Sequence, residues 1–372
     1  FYAEDYALIK EMVDKFIRNL DKSSRIIDPA GGRGAFLIRI LEQSKELGID
    51  IDPKNVYYND KNPAMAEMFR ATNKKFNLGV PDKNITCLDF LKMEFNMKFD
   101  VVIGNPPYQD PIKPRHKLWT KFLKKSLEVG DYVAMVLPKL STQMLNGQEV
   151  DHTSLDSKPY VHSICLNGVE EHFTEGSDFC WFIASQTISS DKIEVIGNDI
   201  VEEWEKNSFI PYLPNKLMSN IISKTMSFQN EYNRCASRLE ETIGNYKGIE
   251  KFLADGIVWK NIPKTHQNQD KFKMLYPTLG PGEYLDYDKT VMPTTSFTVY
   301  IVVDTKEELE TLPMIQQTPI FKFLEFCFSS RRSPRDYVWT NIKKLPSLDS
   351  EEIYTHFGLT QEEIDYIEKN VK

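Results

Sequence analysis

The sequence predicts a doubly wound α/β fold, a mostly parallel sheet covered by helices, followed by a domain of mixed α+β character. Short apolar runs alternate with helical patterns through the first half of the chain, which is the rhythm of a parallel sheet. Two of these runs end on residues that shape the backbone, at 28–34 and at 105–108. Open α/β sheets build their ligand crevice from such strand ends. Beyond about residue 190 the alternation is lost.

The elements of the first domain follow in chain order. Residues 6–20 form an amphipathic helix, because apolar residues mark one helical face. Strands and helices then alternate: a strand at 25–28, a helix at 34–47, a strand at 55–59, a helix from Pro63, strands at 85–88 and 99–103, a helix at 118–128 and a strand at 132–137. Residues 161–166 and 179–188 are expected to form an antiparallel hairpin that closes the sheet.

The remaining chain predicts a second domain and a short tail. Its elements are a helical stretch at 216–253, a strand at 296–303, a helix near 306–328 and two short helices after Leu348. The expected domains are therefore 1–190, 191–346 and a C-terminal helical segment, 347–372, that packs on the body.

Composition limits the classes of function. A chain of 372 residues with 41% hydrophobic and 27% charged residues is typical of a globular protein of two domains. Its net charge of −8 argues against coating nucleic acid by bulk attraction, so a nucleic-acid surface would have to be a local basic stripe. No apolar run approaches the roughly 20 residues that span a bilayer. The five cysteines form no CxxC or Cys/His cluster, which favours a reducing cytoplasm and no metal site.

The first motif is the loop that follows the first strand. Its sequence is Asp28-Pro29-Ala30-Gly31-Gly32-Arg33-Gly34. Glycine allows positive φ and close contact with a ligand. A carboxylate beside a helix N-terminus suits a cationic amino-acid ligand better than a pyrophosphate. A tight βα turn of another α/β enzyme is the alternative.

Two further carboxylates extend this candidate site. Asp60 follows the second strand, where an acid can accept both ribose hydroxyls. Asp89 follows the third strand and can accept from an adenine amino group, while Phe90 packs on the ring. Each acid alone also fits a helix cap. Their order at successive strand ends favours a nucleoside.

The second motif, Asn105-Pro106-Pro107-Tyr108, follows the fourth strand. The amine of adenine is a poor nucleophile, because its lone pair is delocalised into the ring. The Asn105 side-chain carbonyl and the Pro106 main-chain carbonyl can each accept one of its N–H bonds, which frees the lone pair for attack by positioning and electrostatics. Prolines hold these carbonyls in place, and Tyr108 offers a face to an extruded base.

These residues resemble the amino-group DNA methyltransferases of bacterial restriction–modification systems, in the Eco57I/TaqI-like N6-adenine branch. The resemblance implies a class I methyltransferase sheet, S-adenosyl-L-methionine as cofactor and double-stranded DNA as substrate. It also implies a C-terminal target-recognition domain, a possible cognate restriction endonuclease, and a cytoplasmic protein of bacterial or phage origin. A later aromatic that holds the flipped base would be Phe173 or Phe179.

A basic stripe is the candidate DNA surface. Residues 331–344 hold five Lys or Arg and one Asp, a local net charge of +4. Such side chains pair with phosphate or guanine. The candidate contacts are Arg331, Arg332, Arg335 and Lys343, with a weaker cluster that includes Lys260 and Lys264. The alternative is a solvated face.

Other substrates fit the second motif. Enzymes that methylate glutamine in translation termination factors, and others that act on RNA bases, hold a planar nitrogen in the same way. About 25 residues precede the glycine loop and about 180 follow the catalytic fold, which favours a large substrate read by a separate module. An N4-cytosine enzyme would more often carry Ser at position 105, and Asn105 with Tyr108 argues against an idle DNA-binding subunit.

Overall fold

The computed structural model forms two compact units, Phe1–Asn215 and Lys216–Lys372. It describes residues 6–110, 116–166, 169, 178–197, 200–227, 229–236, 246–253, 256–262, 268, 270–278, 282–293, 298–329 and 333–371. Within these residues, no helix has the length and apolar character needed to cross a membrane.

The first unit is built on a nine-stranded sheet. Its elements are α1 (Tyr6–Asp14), β1 (Ile26–Asp28), α2 (Ala35–Leu47), β2 (Val56–Asn59), α3 (Pro63–Lys75), β3 (Ile85–Thr86), β4 (Phe99–Gly104), α4 (Leu118–Val129), β5 (Gly130–Pro138), α5 (Ser141–Leu145), β6 (Tyr160–Cys165), β7 (Phe179–Ser185), β8 (Lys192–Gly197) and β9 (Ile200–Glu205). The predicted strands and helices of residues 6–138 are confirmed. The amphipathic stretch at 6–20 is α1 followed by a short 3-10 turn, Ile17–Asn19.

The strand order identifies the fold. It runs β3-β2-β1-β4-β5-β7-β6-β8-β9, with β1 to β5 parallel and β7 antiparallel to both β5 and β6. The first seven strands form the sheet of a class I S-adenosylmethionine-dependent methyltransferase, with the closing hairpin that the sequence predicts. The order reverses between β1 and β4, which is where open α/β sheets bind their ligands.

Strand β4 is buried on both faces. Val101 and Ile103 pack in the apolar cluster that includes α1 and α2. Phe99 and Val102 pack in the opposite cluster with α4. Both faces of the sheet are therefore covered, and the carboxyl edge holds the polar loops.

The sheet continues beyond the predicted boundary at residue 190. Strand β8 pairs parallel with β6, and β9 pairs antiparallel with β8. Ile193 and Val195 point into the core at the alternate positions of a half-buried strand. The compact units divide at 215/216, so the loss of the βα rhythm near residue 190 does not mark the end of the sheet.

The second unit combines two small sheets with helices. Its elements are α6 (Lys216–Thr225), β10 (Arg234–Ala236), β11 (Tyr246–Leu253), β12 (Gly256–Ile262), β13 (Phe272–Pro277), β14 (Tyr284–Asp286), β15 (Val291–Pro293), β16 (Thr298–Val303), α7 (Lys306–Gln317), α8 (Pro319–Cys327), α9 (Pro334–Asn341), α10 (Ser350–His356) and α11 (Gln361–Asn370). The sheet orders are β10-β16-β13-β14 and β12-β11-β15.

One prediction for this unit needs correction. The helix expected at 216–253 ends at Thr225, and β10 and β11 follow it. The pairing of β11 with β12 overrides the local helical pattern. The C-terminal segment 347–372 lies within the second unit, where Lys224 Nζ is 2.6 Å from the buried Glu363 of α11.

Candidate active site

The glycines of the first loop accommodate aromatic side chains of the protein itself. Gly34 has a φ of +84°, and a Cβ there would lie 2.2 Å from the Phe69 ring. A Cβ on Gly31 would lie 2.4 Å from the Tyr58 ring. These two rings stack at 4.2 Å between centroids, and Tyr58 OH donates to the Gly32 carbonyl at 2.6 Å. The ring packing therefore requires both glycines. The sequence analysis expects them to allow close contact with a ligand.

Asp28 is a buried carboxyl group with one unused oxygen. Its side chain is 1% exposed, and Oδ1 accepts from the Ala30 N–H at 3.1 Å. Oδ2 has no hydrogen-bond partner among the described residues. Burial raises the pKa of Asp28 well above its usual range, despite the Ala30 hydrogen bond. A cationic group beside Oδ2 would satisfy this carboxylate.

Asp60 ties the glycine loop to the end of β2. Its Oδ2 accepts from the Gly32 N–H and its Oδ1 from the Asn62 N–H, both at 2.8 Å. These two bonds fix the plane of the half-buried carboxylate. Each oxygen retains a second lone pair.

Asp89 and Phe90 have different surroundings. Asp89 Oδ1 accepts from the Leu91 N–H at 3.2 Å, and Oδ2 accepts from Lys61 Nζ at 3.0 Å. Burial acts to raise the pKa of Asp89, but the Lys61 hydrogen bond and charge outweigh it and the pKa is lowered. Phe90 is 1% exposed and its ring lies 5.5 Å from Phe122. The ring is covered, so the expectation that it stacks on a ligand is not supported by its position.

Sequence reasoning missed Asn59, the last residue of β2. Its side chain is 1% exposed and bridges the loops after β1 and β3. Nδ2 donates to the carbonyls of Pro29 and Leu88, both at 3.0 Å. A polar side chain at the buried end of an apolar strand was the signal available.

The second motif follows Gly104, the last residue of β4, which lies against the Asp28 side chain. A Cβ on Gly104 would lie 2.6 Å from Asp28 Oδ1, so only glycine allows this approach. Pro106 is buried and Pro107 is exposed. The adjacent strands β1 and β4 pair through Ile26 and Ile27, and the two motif loops therefore leave neighbouring strands at the same edge.

Asn105 and Tyr108 are bonded to each other. Tyr108 OH donates to Asn105 Oδ1 at 2.6 Å, and the amide Nδ2 is buried with no partner among the described residues. Burial raises the pKa of Tyr108, so its hydroxyl is protonated and can donate. The Tyr108 ring lies 5.3 Å from the ring of Phe179, which is 1% exposed. The other predicted aromatic, Phe173, lies outside the described residues.

The basic candidates divide by their surroundings. Arg335 Nη2 donates to the Pro277 carbonyl at 3.2 Å, and its guanidinium lies 5.2 Å from the centre of the Tyr276 ring. Lys343 Nζ donates to the Lys224 carbonyl at 2.6 Å. Both bonds are internal, which does not support the expectation that these two side chains face DNA. Lys260 is exposed on β12, whereas Arg331, Arg332 and Lys264 lie outside the described residues.

The described part of the site offers no cluster of metal ligands. Among the described residues, no group of three or more His, Cys, Asp and Glu side chains could hold an ion. The five cysteines, all within the described part of the chain, are free thiols.

Comparisons with known proteins agree with the motifs. Residues 41–155 match the family model described as Eco57I restriction-modification methylase. The MjaIX methylase subunit of a type I restriction enzyme from Methanocaldococcus jannaschii is 34% identical over 91 residues, 24% of this chain and 16% of that protein. The type II methyltransferase M.CvrRI of Paramecium bursaria Chlorella virus XZ-6E is 29% identical over 132 residues, 31% of this chain and 30% of that protein. The chain thus covers less than a third of either relative.

A solved structure also resembles the chain. It is the type IIG restriction endonuclease BpuSI, and the superposition covers 98% of this chain and 60% of the BpuSI chain, with 13% sequence identity and a TM-score of 0.44. The fold assignment rests on the strand order and not on this superposition. The resemblance inferred from the motif residues is confirmed over residues 41–155, the part of the chain that matches this family model.

Proposed function

We propose that this chain is a DNA methyltransferase that transfers the methyl group of S-adenosyl-L-methionine to N6 of a flipped-out adenine. The main support is that the Asn105–Tyr108 loop lies beside Asp28, at the point where the strand order reverses. The chain would act as the modification component of a restriction–modification system, with double-stranded DNA and a cognate endonuclease as partners.

The residues at the carboxyl edge fit the cofactor. The unused Oδ2 of Asp28 is a buried acceptor that suits the ammonium of the methionine end. Asp60, held by two main-chain N–H bonds, has lone pairs for the ribose hydroxyls. Asp89 would accept from the adenine amino group, and the exposed Leu88 beside it offers apolar contact in place of the covered Phe90. When bound, S-adenosyl-L-methionine supplies an electrophilic methyl group on a sulfonium sulfur.

The second motif positions the target nitrogen. Tyr108 holds the Asn105 amide through Oδ1, whose second lone pair can accept one N–H of the target amine. The Pro106 carbonyl would accept the other N–H. Both contacts strengthen as positive charge develops on the nitrogen, so they lower the barrier without a formal base. The half-buried Tyr108 ring would stack on the base.

Analysis of nucleosides from methylated DNA tests the proposal. The purified chain is incubated with S-adenosyl-L-methionine labelled in the methyl group and with unmethylated genomic DNA, RNA or protein. We expect N6-methyladenine in DNA, and methylation-sensitive sequencing would then give the site and strand. Label in RNA or in glutamine would favour the alternative substrates, and N4-methylcytosine would contradict the base assignment. Binding of DNA without transfer to any substrate would favour an idle DNA-binding subunit.

A further inference from the structure

We infer that Asn59 is a positioning residue that sets the geometry of the cofactor site by holding the loops after β1 and β3 together. The inference rests on the proposed function, because only that function assigns a ligand, the cofactor, to the two loops. Asn59 itself needs no contact with that ligand. Its effect would pass through Asp28 and Asp89, whose loops it joins.

The hydrogen bonds of the Asn59 amide are saturated by protein. Its two N–H groups donate to Pro29 O and Leu88 O. Its carbonyl oxygen accepts from Thr86 Oγ1 at 2.8 Å and from the Leu88 N–H at 3.0 Å. An amide has two donor hydrogens and two acceptor lone pairs, so all four bonds are made. Aspartate at this position would lose both donors, and leucine would lose all four bonds.

The loop after β3 depends on these bonds. β3 is an edge strand of two residues, and its pairing with β2 is limited to Tyr58 with Ile85 and Asn59 with Thr86. Asn59 binds both the N–H and the carbonyl of Leu88, the residue before Asp89. The same amide holds Pro29, the residue after Asp28. One side chain therefore bonds the main chain next to each of the two carboxylates that are assigned to opposite ends of the cofactor.

Asn84 provides a matched control, because it bonds to the opposite end of β2 from Asn59. Asn84 is 5% exposed, and its Nδ2 donates to the carbonyls of Lys54 at 2.9 Å and Val56 at 3.1 Å. Both amides donate to two main-chain carbonyls, but Asn84 precedes β3 and bonds to the amino end of β2, away from the candidate cofactor site. Loss of either side chain should cost stability, whereas only Asn59 should affect the cofactor.

The test compares Asn59→Ala with Asn84→Ala in the full chain. Calorimetry with S-adenosylhomocysteine and thermal unfolding are measured on the same samples. We expect both variants to lower Tm, and only Asn59→Ala to weaken binding, by about tenfold or more, since small misplacements of binding groups are costly. In turnover, Asn59→Ala should raise KM for S-adenosyl-L-methionine and leave kcat within roughly threefold, because the Asn105 loop is not held by Asn59.

Four outcomes would overturn the inference. Wild-type affinity in folded Asn59→Ala, or equal weakening by both variants, would show that the amide contributes only stability. If Asn59→Ala does not fold, Thr86→Val, which removes one donor to Asn59, decides instead: unchanged affinity overturns the inference and weaker affinity supports it. A wild-type chain that binds neither S-adenosylhomocysteine nor S-adenosyl-L-methionine would overturn the proposed function as well, which distinguishes the two failures.

Discussion

Asp28 is a buried carboxyl group with no cationic partner among the residues that the structure describes. Its ionisation is therefore expected to change when a cationic ligand binds. Its raised pKa means that it contributes most to folding stability at low pH, below the unfolded value near 4. That contribution is lost as pH rises through the folded pKa. A cationic ligand group would favour the carboxylate, so binding would release a proton. Cofactor affinity should therefore rise with pH up to the folded pKa, by at most about tenfold per pH unit for one proton.

Asp28→Asn should weaken binding of S-adenosyl-L-methionine by about 1.5–3 kcal/mol, the scale of a lost charge-assisted hydrogen bond. It should also remove the pH dependence of that affinity. The control is Asp100→Asn. The Asp100 carboxylate accepts a hydrogen bond from the Arg25 N–H at the amino ends of β1 and β4, which is the sheet edge opposite the candidate site. Calorimetry across pH measures both effects. A pH-dependent wild-type affinity that persists in Asp28→Asn would contradict the role of this carboxyl.

The Asn105–Tyr108 hydrogen bond separates positioning from stacking. Asn105→Ala should lower kcat by about 100–1000-fold with cofactor affinity unchanged, the usual cost of a preorganised polar contact. Tyr108→Phe removes only the hydroxyl that holds the amide at 2.6 Å, and should lower kcat by about tenfold, the value of one hydrogen bond. Single-turnover kinetics measures both variants. A kcat for Tyr108→Phe as low as that of Asn105→Ala would mean that the hydroxyl does more than orient the amide.

Tyr108→Ala tests the ring itself. Removal of the stacking face should impair base capture less when the target adenine is mismatched, because a mismatched base is easier to extrude. Tyr108→Phe is the control, since it retains the ring. Transfer rates on paired and mismatched duplexes give the comparison. Equal losses on both substrates would exclude stacking as the function of this ring.

At the scale of elements, helix α2 lies between two glycines that differ in one respect. Gly34 and Gly48 both have left-handed φ values, +84° and +69°, but a Cβ meets the Phe69 ring at 2.2 Å at the first and nothing within 4 Å at the second. Gly48→Ala should cost about 1–2 kcal/mol, the left-handed penalty. Gly34→Ala should cost roughly 1–3 kcal/mol more from overpacking. Urea unfolding measures both, and equal losses would contradict the packing account.

The elements also show which patterns can be read from sequence. Strands β1 to β5 are short, apolar and bounded by turn residues, so their positions and parallel order follow from local patterns. Strands β8 to β15 do not alternate with helices, so the βα rhythm that predicts β1 to β5 does not indicate them. The same limit applies at the site. Asp28, Asp60 and Asn105 stand at strand ends in the sequence, whereas the covering of Phe90 by Phe122 and the bonds of Asn59 depend on tertiary contacts.

At the scale of the whole molecule, a chain of net charge −8 needs a local cationic surface if it binds DNA. The second unit, which contains most of the region that the sequence analysis expects to recognise the target, includes exposed Lys260 and internally bonded Arg335. These two residues carry the same charge in different surroundings. Their loss should therefore affect different properties of the protein.

Lys260→Ala should reduce the slope of log affinity against log salt by about one, the value for one phosphate contact released. Arg335→Ala should leave the slope unchanged and lower the free energy of unfolding, because the guanidinium bonds to main-chain carbonyls and packs over Tyr276.

The double variant Arg331→Ala/Arg332→Ala should reduce the slope by about two if both arginines contact phosphates. Binding to specific and scrambled duplexes across salt, together with urea unfolding, measures all three. A flatter slope in Arg335→Ala with unchanged stability would mean that this arginine leaves its internal partners to meet DNA, and the stripe at 331–344 would then act as a single surface.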